Sequence, residues 1–565
     1  MSVQTARCYI GVLMPNLRVV ALSVQLLAIG TVAGASVGET FNFPSERFDS
    51  IQAAIDVAVD GDEVVVAAGH HYQKIDFRGK RIRVRSSDGP LLTTIETPCW
   101  TSDHLVRAAS GETRETVLEG FRVIERCSDV PAIAITNSGL TVRNCAVQSN
   151  GHGAIQARGG YATALLENCH FSGTVYHQSP ASTAMAVVSI TSESGELDLV
   201  NCVFERCEGI GWGMYSVALS IGPGCSGNCI GCVFLNNQAP SNGGAGSVVR
   251  ASGVSLVIVD SLFDLNVDSL GNYWLGSTGG TGVAIWSTCP TTILRSVFRR
   301  NIGGGTTCAT DCSGQLPTAV SSVGGAIRFD GAHSRRVEDC WFIGNRCGEP
   351  VPNIDAPRGG GGAIAITGSG ITELVRCRFD RCSATHGGAI YYTDTALKIS
   401  QCSFVGCSAD QGSVIHRKVG GTGTLLLDQS ILTANTGNAV SWIGGGYTVT
   451  GKDNNNFSSA FLCPSDYDFD GVLDSEELLV GTLEDCNSNG VSDLCDTAAG
   501  ASDSDYDGRL DVCECDLNHD QAITGADIAI VLGDWGASGE ADFDDTGIVD
   551  GADLVMLLNL WGAQY

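Results

Sequence analysis

Five short segments near the end of this 565-residue chain carry the residues best able to do chemistry. Each places oxygen-bearing side chains at positions 1, 3 and 5 and a carboxylate at position 12. The first has Asp466, Asp468, Asp470, Asp474 and Glu477. The second has Asp485, Asn487, Asn489, Asp493 and Asp496. The third has Asp503, Asp505, Asp507, Asp511 and Glu514. The fourth has Asp516, Asn518, Asp520 and Asp527, and the fifth has Asp542, Asp544, Thr546 and Asp553. Alternate residues of such a loop turn their oxygens inward, a glycine at position 6 permits the sharp turn, and the last carboxylate closes the shell around a calcium ion. Calcium is therefore the expected cofactor, and these residues are the expected metal ligands.

Charge supports a local role for this chemistry. The net charge is −29, and residues 463–565 hold 25 of the 62 acidic residues but only one of the 33 basic residues, Arg509. Calcium can neutralise much of this excess, and without a cation the carboxylates repel. No basic stripe points to nucleic acid. At the other end, Arg7 and Arg18 precede an apolar run, Val19 to Val32, followed by Ala33-Gly34-Ala35. That pattern predicts an export signal over residues 1–35, and no later segment is apolar enough for a membrane span. The expected location is therefore secreted or extracellular, with attachment to a cell surface possible.

The long middle region is built on a repeat. Cys202-Val-Phe204-Glu-Arg-Cys207, Cys232-Val-Phe234-Leu-Asn-Asn237, Ser261-Leu-Phe263-Asp-Leu-Asn266 and Ser296-Val-Phe298-Arg-Arg-Asn301 share one pattern. Cys340-Trp-Phe342-Ile-Gly-Asn345, Cys377-Arg-Phe379-Asp-Arg-Cys382 and Cys402-Ser-Phe404-Val-Gly-Cys407 continue it, and weaker copies begin at Cys145, Cys169 and Ser430. The mean period of about 32 residues marks a solenoid. The offset of two places the Cys and the Phe on the same face of a strand, pointing inward. The Asn or Cys at the sixth position is expected where the chain turns, with the Asn able to adopt unusual backbone angles and to bond its copy one rung away. Gly324-Gly325-Ala326-Ile327, Gly361-Gly362-Ala363-Ile364 and Gly387-Gly388-Ala389-Ile390 precede Phe342, Phe379 and Phe404 at nearly constant spacing. Constant pieces are strands and corners, and variable pieces are loops. Coiling the chain supplies the crossovers that parallel strands need, so the fold class is all-β, a parallel β-helix.

The beginning of the rod fits a cap. Ser50-Ile51 to Ala58 has apolar residues at helical spacing, followed by strands at Glu63 to Ala67 and Arg81 to Arg85. This stretch resembles the N-terminal cap of the pectin-lyase-like, right-handed parallel β-helix superfamily. The G-G-A-I and F-x-x-N pairs resemble the repeats of polymorphic outer-membrane proteins. These resemblances imply a right-handed β-helix over residues 45–450, capped by a helix. They leave activity open, because the fold hosts lyases, hydrolases and adhesins.

Hydrolases of this fold use paired aspartates on neighbouring rungs, and its lyases use calcium with Arg or Lys. Gly151-His152-Gly153 matches one short motif of polygalacturonases, without the upstream aspartate pair. Arg376 and Arg378 flank the inward Cys377, and Arg299 and Arg300 follow Phe298, so all four are expected on a solvated outer face. His70-His71 is read as part of a capping loop. No catalytic constellation is assigned, and the repeated cysteines are read as packed thiols.

The tail divides in two by spacing. The first three loops begin 19 and 18 residues apart, too close for flanking helices, with Cys486, Cys495 and Cys513 interleaved. Residues 463–514 resemble thrombospondin type 3 repeats, which implies a calcium-stiffened linker. The last two loops begin 26 residues apart, and each leads into a helix ending in Trp535-Gly536 or Trp561-Gly562. Residues 515–565 resemble a type I dockerin, a small α-helical module of EF-hand type that implies calcium and a cohesin-like partner. Gln521 replaces the usual glycine of the fourth loop, and Thr546 is a weak ligand in the fifth. Two functions remain open: a secreted, surface-attached β-helix protein that binds glycans or proteins, and a lyase or hydrolase of polysaccharides.

Overall fold

A computed structural model of the chain describes residues 38–96, 104–126, 130–149, 153–177, 186–211, 216–239, 247–268, 284–303, 324–347, 360–418, 420–433, 435–437, 443–444, 456–458, 478, 484–487, 491–499, 501–503, 509–543 and 548–563. The expected signal segment, the whole first calcium loop (466–477), Gly151 and His152 lie outside these residues. Among the described residues, no helix is long and apolar enough to cross a membrane.

The fold is the expected right-handed parallel β-helix. Each full rung has four short strands, and each strand pairs in parallel with its counterpart on the next rung. One rung runs Ile327–Phe329, Arg335–Glu338, Trp341–Ile343 and Arg346–Cys347. The next runs Ile364–Ile366, Ile371–Val375, Arg378–Asp380 and Ser383–His386. These pair in register as Ile327 with Ile364, Val337 with Leu374, Phe342 with Phe379 and Arg346 with Ser383. The four strand positions define four faces. The Ala-Ile pairs open the first face, and the repeated Phe residues lie on the third. The insertions of variable length fall between the fourth face and the first. In the rungs at 383–392 and 408–417 that connection shrinks to Gly387-Gly388-Ala389 and Gly412-Ser413-Val414.

The repeat is a set of interior ladders. Phe171, Phe204, Phe234, Phe263, Phe298, Phe342, Phe379 and Phe404 stack ring on ring with centroids 4.5–4.9 Å apart. That distance is the strand spacing itself. The expected asparagine ladder exists. Asn237 Nδ2 donates to Asn266 Oδ1, Asn266 to Asn301 and Asn301 to Asn345, each at 2.9 Å. Each donating amide also reaches the carbonyl of a Phe one rung away. The left-handed turn falls one residue earlier than expected, at Asn236, Leu265 and Arg300, with φ near 50°. The ladder Asn points inward with ordinary geometry, and its neighbour carries the bend.

Cys202, Cys232, Cys340, Cys377 and Cys402 are buried thiols, as expected. Each lies within sulfur hydrogen-bond reach of a carbonyl one rung away, as Cys202 Sγ does of Leu166 O at 3.3 Å. The cap also forms as read. Helix α1, Ile51–Val57, starts at Ser50, whose side chain accepts from the Ala53 amide, and it buries Ile51, Ala54 and Ile55. Glu63–Val66 and Arg83–Ser86 follow as paired strands.

The tail has its own core of Cys515, Ile523, Val531, Ala541, Phe543, Val549 and Leu557. The two helices expected there are α4, Gly525–Gly533, and α5, Gly551–Asn559. The linker departs from expectation. It holds two short helices, α2 at Asp493–Ala499 and α3 at Asp511–Glu514. Each begins at position 9 of its loop, so a single turn fits where a longer flanking helix could not.

Candidate functional site

A row of side chains on the outer side of the first face concentrates chemistry on the rod. The strands are three residues long, with the outer two pointing inward. Register then aligns the central residues: Arg250 beside Trp286, Trp286 beside Arg328, Arg328 beside Ala365, Ala365 beside Tyr391 and Tyr391 beside His416. Six consecutive rungs thus present cation, aromatic ring, cation, small residue, aromatic ring and imidazole.

The open end of the row is half-buried. The Arg250 guanidinium lies 4.0 Å from the Trp286 ring centroid and that of Arg328 lies 5.6 Å from it. Asp330 holds this end together. Its Oδ2 accepts from Trp286 Nε1 at 2.8 Å and its Oδ1 from Arg328 Nε at 3.0 Å, and Thr367 Oγ1 also donates to it. The tryptophan is therefore fixed between two arginines whose guanidinium groups lie over its ring, leaving its edge at the surface.

The other end is closed. Tyr391 is 1% exposed, and Gly360 packs so tightly on it that a Cβ there would come within 2.5 Å of the ring. The Tyr391 ring lies parallel to His416 at 5.9 Å, and His386 meets His416 edge to face at 5.1 Å. Among the described residues, Nδ1 of His386 and Nδ1 of His416 are buried without a hydrogen-bond partner. Burial, with His386 adding to it, pushes His416 down to about 4. Burial lowers His386 as well, against the pull of Asp410. Burial pushes Tyr391 up to about 12. Near neutrality this end therefore holds neutral imidazoles and a protonated phenol, which are proton acceptors and a donor.

The arginines read as solvated are otherwise placed. Arg299 faces outward from the rod core but is 0% exposed, bound to Asp264 at 2.8 Å. Arg300 pairs with the same carboxylate at 2.6 Å. Arg378 is buried against Asp380 at 3.0 Å, and Arg376 pairs with Asp339 at 2.6 Å. Strand alternation gave the direction of these side chains but not the cover above them, and a covered cation needs a carboxylate partner. His70 is in a strand, Gly69–His71, rather than a loop, and it meets the buried Glu96 at 2.5 Å with Arg126 on the same carboxylate.

The tail ligands fall into three groups. Asp466, Asp468, Asp470, Asp474, Glu477, Asn489, Asp505, Asp507, Asp544 and Thr546 lie outside the described residues. In the second loop, Asp493 accepts from the Cys486 amide at 3.1 Å, and Asn487 Nδ2 donates to Asp496 at 2.8 Å. Burial, with Glu484, Asp485 and Asp496 nearby, raises Asp493 to about 6. In the third loop, Asp511 accepts from Ser502 Oγ at 2.5 Å, and Asp503 faces the rod.

The fourth loop is described throughout. Asp516 accepts from the amides of Asp520 and Gln521 at 3.1 and 2.7 Å. Asp527 accepts from the amides of Asn518 and Thr524 at 3.2 and 2.8 Å. Gln521 takes φ +65°, so the left-handed turn forms without glycine. In the fifth loop, Asp553 is buried and accepts from the Asp550 amide at 2.7 Å. Among the described residues, no three His, Cys, Asp or Glu side chains converge as a preassembled metal cluster. The bond Cys486–Cys513 joins the second and third loops.

Comparison with known proteins agrees with the fold. The family described as right handed beta helix region matches residues 111–298. No curated protein matches the chain. Among solved structures, it is similar to the catalytic unit of a GH87 α-1,3-glucanase from Streptomyces thermodiastaticus, at 13% identity and a TM-score of 0.33, covering 76% of this chain and 70% of that one. A PL6 alginate lyase bound to a trisaccharide is 10% identical, with a TM-score of 0.33 and coverage of 76% and 90%. The A-module of the Azotobacter vinelandii mannuronan C-5 epimerase is 13% identical, with a TM-score of 0.26 and coverage of 74% and 97%.

Proposed function

We propose that this chain is an exported β-helix protein that acts on an acidic polysaccharide, with the polymer lying along the first face of the rod. The observation that carries this reading is the aligned row Arg250–Trp286–Arg328. An indole sandwiched between two guanidinium groups presents its edge to the outside, with a cation on either side for carboxylate or sulfate groups. The row repeats at the rung spacing, which suits an extended polymer better than a compact ligand.

The test is binding of the purified chain to a panel of uronate, sulfated and neutral glycans. Acidic polymers are expected to bind. Trp286→Ala is expected to weaken that binding about tenfold, on the order of the 1–2 kcal/mol of a partly desolvated cation–aromatic contact. Retention of neutral glycans alone, or undiminished binding by the variant, refutes the reading.

A cleaving activity through Tyr391, His416 and His386 requires the closed end to open to the polymer, since they are 1%, 4% and 9% exposed. On a uronate the fitting reaction is β-elimination. A neutral imidazole takes the proton beside the carboxylate, the bond to the leaving oxygen breaks as a carbon–carbon double bond forms, and the phenol gives its proton to that oxygen. Unsaturated ends should appear in the presence of the wild-type protein and fall at least a hundredfold with His416→Ala. New reducing ends without unsaturation would exclude this chemistry.

Calcium belongs to the tail in this proposal. Asp516, Asn518, Asp520 and Asp527 fit it, since all are oxygen donors on a loop already wrapped by its own amides. Asp493 is raised first by burial and then by the carboxylates of Glu484, Asp485 and Asp496, whose charge a cation would offset. Bound calcium would supply charge neutralisation and cross-linking in the linker and the terminal module. That module, with a cohesin-like protein or a surface component as partner, would attach the rod outside the cell.

A further inference from the structure

The cap half of the rod presents a second set of reactive groups, on the outer side of the third face. Three strands pair there in register, Gly69–His71 with Thr93–Glu96 and Thr93–Glu96 with Arg122–Glu125. Ile95 and Val123 are buried inside, so His70, Thr94, Glu96 and Arg122 point outward. His70 meets Glu96 through Nε2 at 2.5 Å; the imidazole is 44% exposed and the carboxylate only 5%. Arg126 donates through Nε to the other oxygen of that carboxylate. Arg126, with His70 adding to it, holds the Glu96 carboxyl below its usual range against its burial. An ionised carboxylate only accepts, so the neutral imidazole has its proton on Nε2 and its lone pair on Nδ1. The Tyr72 ring stacks on that of His70 with centroids 4.7 Å apart. Tyr72 is exposed, as is Leu92 just before the second strand. A buried carboxylate thus fixes an accessible base beside an accessible phenol.

We propose that this set hydrolyses acyl esters on the hydroxyls of an acidic glycan, with His70 as general base, Glu96 as its positioning residue and Tyr72 as donor to the carbonyl oxygen. The substrate class rests on the acidic-polysaccharide reading above, while the site is separate from the first-face row. Nδ1 of His70 takes a proton from water as the water oxygen bonds to the acyl carbon, and the Tyr72 hydroxyl donates to the oxygen that gains charge. The carbon–oxygen bond to the sugar then breaks, and the imidazolium returns the proton to the sugar oxygen. The carboxylic acid product loses its own proton to solvent. Exposed Tyr72 and Leu92 suit an uncharged acyl group. Arg122, one rung beyond Thr94 and exposed, suits the free carboxylate of the same polymer. With that carboxylate free, the ester lies on a hydroxyl.

The test incubates the full chain with an acetylated uronan, a methyl-esterified uronan and nitrophenyl acetate, and reads the acetate and methanol released. Acetate release is expected, with kcat at least a hundredfold lower in His70→Ala. Free imidazole should restore part of that loss, which it would not do for a histidine with a structural role alone. Tyr72→Phe should lower kcat about a hundredfold. Glu96→Gln should lower kcat about tenfold with KM unchanged. Unaltered melting establishes that the His70 and Tyr72 variants are folded. Acetate release undiminished by His70→Ala, or a loss that imidazole does not rescue, overturns the assignment, and methanol in place of acetate overturns the hydroxyl ester. Binding of acidic glycans without release of acetate overturns this site and leaves the binding reading standing. Hydrolysis of nitrophenyl acetate that depends on His70, in a protein that binds no acidic glycan, supports the ester chemistry and overturns the polysaccharide reading. Neither binding nor ester cleavage overturns both.

Discussion

Single residues decide the rod's chemistry through their surroundings. His386 and His416 are buried as neutral imidazoles, and His416 lies at about 4 because burial disfavours its charge. A depressed histidine favours the fold only while the unfolded chain is also neutral. Stability is then lost as pH falls below the ordinary value near 6.5 and continues to fall towards 4. A drop from 6.5 to 4 corresponds to about 3 kcal/mol from His416 alone. Thermal melting of the rod is expected to fall between pH 6.5 and 4, and His416→Phe is expected to flatten that dependence. A variant as acid-sensitive as the parent would show that the imidazole is not the cause. The row containing His416 was illegible at this scale, because Arg250, Trp286, Arg328, Ala365, Tyr391 and His416 share no residue type. Separations from 25 to 42 residues hid their register. The available signal was positional: Arg328, Ala365 and Tyr391 each directly follow an Ala-Ile pair.

At the scale of elements, what is periodic in sequence is periodic in space. The Phe and Asn of the repeat were readable because each must meet its own copy one rung away, which keeps the residue type constant. The loops were unreadable because nothing repeats in them, and the carboxylates that pair with the buried Arg299 and Arg378, Asp264 and Asp380, are not part of the repeat. Asn301 shows what the ladder contributes. Its side chain accepts from both the backbone and the side chain of Asn266, and it donates to Asn345 and to the Phe263 carbonyl. Asn301→Ala leaves several buried groups without partners, at roughly 1–3 kcal/mol each before relaxation. A loss of about 2–4 kcal/mol, read by denaturant unfolding, is expected. Phe298→Ala removes a ring stacked on both sides and should cost about 3–5 kcal/mol. If Asn301→Ala were neutral, the ladder would be a by-product of register rather than a support of it.

The whole molecule joins two cores of different kinds. The rod's apolar interior runs from Phe41 to Leu432, whereas among the described residues the terminal core has seven buried members from Cys515 to Leu557. Small cores of that size need an additional source of stability. The tail also carries an excess of 24 negative charges, which self-repulsion turns against compactness. In the calcium reading proposed above, both features would make the tail the calcium-dependent part and the rod the independent part. Two unfolding transitions are therefore expected. The tail transition should rise with calcium by about 2.7 kcal/mol per site at a concentration a hundredfold above the dissociation constant, while the rod transition stays fixed. Sodium chloride at matched ionic strength should reproduce only the screening part, because it fills no loop. Asp527→Ala removes a buried loop-closing carboxylate and the N3 partner of the α4 capping box. It should abolish the calcium increment of one site and also lower the calcium-free transition by about 1 kcal/mol. A tail transition unmoved by calcium or by chelator would reassign the acidic loops as solvated turns, leaving the terminal module to be held by its apolar core alone.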